Sequence, residues 1–137
     1  MKKTLLKMAA GVVSLFMFTA CNAAVSSTNL NARDISVEIK NAEKETNSEL
    51  GRLVVEQGKN VMMNASLSSG AVDVTIYEIA SSTRDEDGDE EYEKGEALSV
   101  SHLEGESNTL TEISPGEYLV ELDVTETASG TIHINIQ

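Results

Sequence analysis

From Ser81 to Gly95 the chain reads SSTRDEDGDEEYEKG, and its carboxylates stand close enough together for cation chemistry. Asp85, Asp87 and Asp89 fill positions 1, 3 and 5 of a twelve-position window that closes on Glu96. Ca2+ needs about six to eight oxygens converging on one point, and this spacing is how a single loop delivers them. Position six is Glu90, where such a loop needs glycine for its bend. Eight acids against Lys94 alone, from Asp85 to Glu96, also describe a solvated loop held open by its own charge. The leading expectation is therefore a mobile acidic loop with no cofactor, and Ca2+ is the alternative the spacing raises.

Other chemistry is thinner. Glu121 with Asp123, and Glu104 with Glu106, alternate as a glycosidase pair on one strand face would. In a chain with 23 acids such pairs arise freely, and they serve to keep an exposed strand from self-pairing. His102 and His133 lack a third metal ligand at motif spacing, and no glycine-flanked serine marks a nucleophile. The residues therefore predict no enzyme. Cys21, the sole cysteine, has no disulfide partner within the chain and follows an apolar run from Met8 to Ala20.

That run belongs to a leader. Lys2, Lys3 and Lys7 precede GVVSLFMF at Gly11 to Phe18, an order of basic, apolar, small that matches a secretory signal. The apolar part is shorter than the ~20 residues a spanning helix needs. Phe18-Thr19-Ala20-Cys21 resembles the lipobox of bacterial lipoproteins, with Phe18 where leucine is usual. The resemblance implies a diacylglyceryl group on the Cys21 sulfur, cleavage before it, and a protein held to the membrane on its outer side, extracellular or periplasmic. The expected organisation is a cleaved, helical signal peptide over 1–20, the lipidated cysteine with a flexible tether over 21–32, and a β domain over 33–137. The tether, NAAVSSTNLNA from Asn22 to Ala32, has little to bury.

Cleavage would take three of the ten basic residues and none of the 23 acids, for a net charge of −16. Such a surface repels polyanions, so nucleic acid is excluded as a partner. Both phenylalanines leave with the leader, and Tyr77, Tyr92 and Tyr118 are the only aromatics after it, too few for a sugar-stacking surface. The remaining length suffices for one core.

The pattern beyond Arg33 has period two. Ile35, Val37 and Ile39 alternate with polar residues, as do Val61, Met63, Ala65 and Leu67, then Val72, Val74 and Ile76. Tyr118, Val120, Leu122 and Val124 repeat it, and Ile132, Ile134 and Ile136 close the chain. Strands near Leu50–Glu56, Leu98–Leu103 and Thr109–Ile113 complete about eight, separated by turns such as Ser68-Ser69-Gly70 and a type II turn at Ser114-Pro115-Gly116. This predicts an all-β, antiparallel sandwich, Ig-like or jelly-roll, with a barrel as the alternative. Its core is expected from Ile35, Val37, Val61, Met63, Val74, Ile76, Val120, Leu122, Ile132 and Ile134.

The closing stretch ISPGEYLVELDVTETASGTIHINIQ is similar to the last strands of bacterial prepeptidase C-terminal-like and related jelly-roll modules, through its Pro-Gly-x-Tyr turn and Ser-Gly-led final strand. That likeness implies a secreted accessory module without catalysis. The leading expectation is a membrane-tethered, non-catalytic module that binds an envelope protein or polymer, or assists an assembly. A calcium-responsive surface module and a carboxylate-based envelope hydrolase are the alternatives.

Overall fold

The computed structural model describes residues 5–9, 24–84 and 86–137, with 5–9, 89 and 90 followed through their backbone. Seven strands succeed one another: β1 (Leu5–Ala9), β2 (Val25–Leu30), β3 (Asp34–Ala42), β4 (Asn47–Val55), β5 (Val61–Arg84), β6 (Asp89–Thr111) and β7 (Gly116–Ile136). All pairings are antiparallel, in the order β1-β6-β5-β7-β3-β2, with β4 also on β7. The described residues are all-β. Among them no helix is long and apolar enough to cross a membrane.

Three strands are far longer than their sequence pattern predicts, because neighbouring predicted strands fuse. Ser68-Ser69-Gly70 is not a hairpin turn but a corner within β5, where Gly70 takes φ +76° and the ladder to β6 slips between Ser66 and Ala71. Gly105 (φ +59°) bends β6 and Gly130 (φ +146°) bends β7 alongside. Each long strand thus runs through one layer, turns, and continues in the other. One layer holds β2, β3 and residues 128–136, 61–67 and 106–111. The second holds β4 and residues 116–124, 71–79 and 97–104.

Period-two patterning then fills the space between. Ile35, Ile134 and Met63 stand in one cross-strand row, and Val37, Ile132 and Ala65 in another, all facing inward. Leu53, Val74, Ile76, Val120 and Leu122 meet them from the second layer. Each of the ten predicted core residues is at most 3% exposed. Burial of such side chains contributes about 1.5–3 kcal/mol apiece, the main force holding a disulfide-free fold. Along one side the layers are laced together: the Asn29 side-chain amide donates to the Arg52 carbonyl at 2.9 Å, and the Val54 amide to that of Ala32 at 2.8 Å.

Several expectations are corrected. The flexible tether over 21–32 contains β2, which pairs with β3 from Val25↔Ile39 to Leu30↔Asp34. Asn31 (φ +53°) and Ala32 (φ +56°) form the two-residue, left-handed hairpin turn that joins them, closed by Arg33 N–H to Leu30 O at 3.0 Å. β2 escaped notice because its ladder, not side-chain burial, holds it; only Val25 of the strand is buried. The leader was expected to be helical, yet Leu5–Ala9 is extended and paired with Asp89–Glu93, whose outer backbone groups need partners. The acidic stretch is no loop: β5 and β6 continue through it as a hairpin, Ser81↔Glu93 to Arg84↔Glu90. Between the paired strands, residues 86–88 turn, with Gly88 at φ +83°. At Pro115 the chain bends without a compact type II turn; Gly116 opens β7 at φ +156°, and the Tyr118 hydroxyl donates to the Ser114 carbonyl. Signal-peptide residues 1–4 and 10–20, with Cys21, lie outside the described residues.

Candidate functional site

The outward face of the first layer is polar across five strands. Thr28, Ser36, His133, Asn64 and Asn108 lie side by side in one cross-strand row, and Ser26, Glu38, Thr131, Ser66 and Glu106 in the next. Alternation dictates this: the residues between them are the inward Val37, Ile132 and Ala65. Together the two rows floor a shallow depression of about 600 Å³. Glu38 and Glu106 stand three strand spacings apart in one row, roughly 14 Å at ~4.8 Å per step. Hydroxyls and amides fill the space between. Such a floor offers many hydrogen bonds and a negative border, chemistry suited to neutral or cationic hydroxyl- and amine-bearing ligands rather than anions.

Asp34, Ser36 and His133 are neighbours on this face, the residue types of a hydrolytic triad. Their connectivity is different. His133 Nε2 bonds the Asp34 carboxylate, and Nδ1 accepts from the Asn135 side-chain amide at 3.4 Å. Both ring nitrogens are engaged, so neither is placed to take a proton from Ser36. The group ties β3 to β7. His133 itself is half-buried on this outward face.

Of the two carboxylate pairs, Glu121 and Asp123 share a face as expected, and Glu104 and Glu106 do not. Glu104 and Glu106 flank the Gly105 corner and belong to different layers: Glu104 faces Ala71 and Glu106 faces Ser66. Glu121 is buried (6% exposed), because the far part of the β5–β6 hairpin folds over it. Lys94 reaches its Oε2 at 2.7 Å while lying 4.6 Å over the Tyr77 ring. The Asn47 amide donates to Glu121 Oε1 at 2.9 Å and to Asp123 Oδ1 at 2.5 Å. Burial alone would lower the Lys94 ammonium, but the hydrogen bond and charge of Glu121 hold it above its ordinary 10.5. This is a structural clamp with only a crevice of about 10 Å³ beside it, too small for a substrate.

Glu49, directly across the ladder from Glu121, has its carboxyl raised above 4.5 by burial and by the Glu121 charge, with Lys94 opposing. A raised carboxyl binds its proton more tightly in the folded state, so stability falls as pH rises through that range and stays lower at neutral pH. Glu49→Gln should therefore raise Tm at pH 7 by about 2–4 °C. The gain should vanish as pH drops below about 4.5, where the unfolded carboxyl is protonated too. Thermal melts from pH 4 to 8 read this; an unchanged or lower Tm at pH 7 contradicts it.

The calcium candidates are dispersed. Asp87 is exposed in the hairpin turn, and Asp85 lies outside the described residues. Asp89 and Glu96 are seven positions apart on one strand, about 23 Å at ~3.3 Å per residue. A twelve-residue loop brings its first and last ligands together; an extended strand cannot. No group of three or more potential metal ligands is assembled among the described residues. His102, exposed, bonds Asp73 at 2.7 Å, and that bond raises its imidazole above 6.5 against the opposing effect of desolvation, helped by the charge of Asp73 and by Glu104.

Fold and face together define a small antiparallel β module with a polar sheet surface. No protein-family model and no curated protein matches the chain. Among solved structures, a crystal structure of Drosophila melanogaster CENP-C bound to CAL1 is similar over 94% of this chain and 83% of that one, at 8% identity and a TM-score of 0.40. A likeness of that size carries nothing over.

Proposed function

We propose that this chain is a lipid-anchored envelope protein, fixed through Cys21 outside the cytoplasm, whose polar sheet face binds a hydroxyl- or amine-bearing envelope polymer without catalysing its turnover. The observation that carries the binding reading is the depression between Glu38 and Glu106, floored by Ser36, Asn64, Thr131 and their neighbours. Anchoring rests on the basic, apolar, small, cysteine order of Met1 to Cys21. The non-catalytic reading is supported by where the acids and histidines are spent: His133 on Asp34 and Asn135, Glu121 on Lys94 and Asn47.

Two experiments test the halves separately. Cys21→Ala should move the protein from membranes to the medium or periplasm and abolish labelling by a fatty-acid probe; retention with undiminished label contradicts the anchor. For the face, purified protein is sedimented with isolated cell-wall polymer. Thr131→Arg, at the centre of the depression, should cut the bound fraction at least about tenfold, since a bulky cation fills the floor. Leu98→Arg, an equal charge change at an exposed site on the other layer, should leave it intact. Equal binding by wild type and Thr131→Arg contradicts the face.

A further inference from the structure

The outer edge of β6 is already shown accepting a strand. Leu5↔Glu93, Leu6↔Tyr92, Lys7↔Glu91, Met8↔Glu90 and Ala9↔Asp89 form an unbroken antiparallel ladder. An edge that pairs five residues in register is straight and sterically open there, in contrast to the slipped stretches that the same hairpin shows between β5 and β6. Among the described side chains, the buried core runs from Val25 to Ile134. We infer that Asp89–Glu93 is a strand-addition site for a basic, extended segment of a partner protein, a seat that the leader covers in the precursor and vacates on cleavage. This rests on the proposal that the leader is removed.

Charge decides the kind of occupant. The edge reads DEEYE, four acids in five residues, and Lys94 next to it is committed to Glu121. A second copy pairing through the same edge would bring two such rows against each other, where directly opposed like charges destabilise a ladder. The segment that does sit there comes from a stretch with Lys2, Lys3 and Lys7 and no acid. Main-chain hydrogen bonds supply affinity in strand addition, and side-chain character supplies selectivity. Here the acids select for Lys or Arg among apolar residues and oppose self-association of the edge.

The test uses mature protein extracted from membranes in detergent, and a synthetic peptide of residues 1–11 as probe. Hydrogen-exchange mass spectrometry should show the 89–93 amides exchanging fast in the mature protein and at least about tenfold slower with about 1 mM peptide. A peptide with Lys2, Lys3 and Lys7 replaced by Glu should give no protection. Absence of protection by the basic peptide, equal protection by the acidic one, or protection of 89–93 by self-association without peptide would each overturn the inference. Intact mass of the same sample reports the leader independently. If the leader is retained, the anchoring proposal fails. The seat is then emptied with Leu6→Pro and Lys7→Pro together, which removes an inward N–H whichever of the two faces β6, and the same peptide readings apply to that variant.

Discussion

Gly130→Ala should cost about 4 kcal/mol, a large share of the ~5–10 kcal/mol that a domain of this size possesses, and should lower Tm by at least about 15 °C or leave no folded protein. The reason is where β5 and β7 turn their corners together. A Cβ at Gly130 would lie 2.3 Å from the Ser66 carbonyl oxygen and 2.6 Å from Leu67 Cα, both backbone atoms with no rotamer to yield. The same junction presses from the other side, where a Cβ at Gly70 would stand 2.1 Å from the Thr127 carbonyl oxygen. Both glycines also sit at positive φ. Gly58→Ala separates the two effects. It shares the positive φ (+80°) but has nothing within 4 Å, so only the backbone penalty of about 1 kcal/mol applies. Denaturant midpoints for the three proteins decide it; a Gly130→Ala loss no larger than that of Gly58→Ala contradicts the corner packing.

Lys94→Met should be nearly as damaging, at about 2–3 kcal/mol. The substitution keeps the aliphatic stem over Tyr77 but strands the buried Glu121 carboxylate, with Glu49 beside it and no cation to oppose either. Breaking one side of a buried pair costs more than the pair contributes, because the remaining charge is left without solvent or partner. The double variant Lys94→Met with Glu121→Gln should recover most of the loss, since Asn47 can still donate to the new amide oxygen. A Lys94→Met protein as stable as wild type, or a double variant no better than the single, would show that the clamp contributes little.

These two sites mark what a linear pattern can and cannot carry. Ile35, Val37, Ile132 and Ile134 were legible as core because one inward face per strand is a local rule, satisfied wherever the strand goes. The joining of strands was not. Ser68-Ser69-Gly70 satisfies the chemistry of a hairpin turn and of a corner equally, and only the packing of Thr127–Gly130 against it selects the corner. VSSTNL carries no apolar alternation, so β2 had no signal except Asn31, whose tolerance of positive φ suits the turn that follows. Glu121 read as a solvent-facing residue because the hairpin that covers it lies some thirty positions away in sequence, at Lys94. The acidic stretch misled for a related reason: its charge spoke for a loop, while Ser81 to Arg84 supplied a backbone partner that period alone does not announce. The polar face is simply the other half of the alternation, visible once the strands are set side by side.

An anchored module of this kind makes one demand that is independent of the ligand: the sulfur of Cys21 must carry lipid and the chain must begin there. Intact and fragment mass spectrometry of protein extracted from the native envelope tests this directly. The expected species starts at Cys21 with a diacylglyceryl thioether, and lacks residues 1–20. A species that begins at Met1, or one whose cysteine is unmodified, would contradict it.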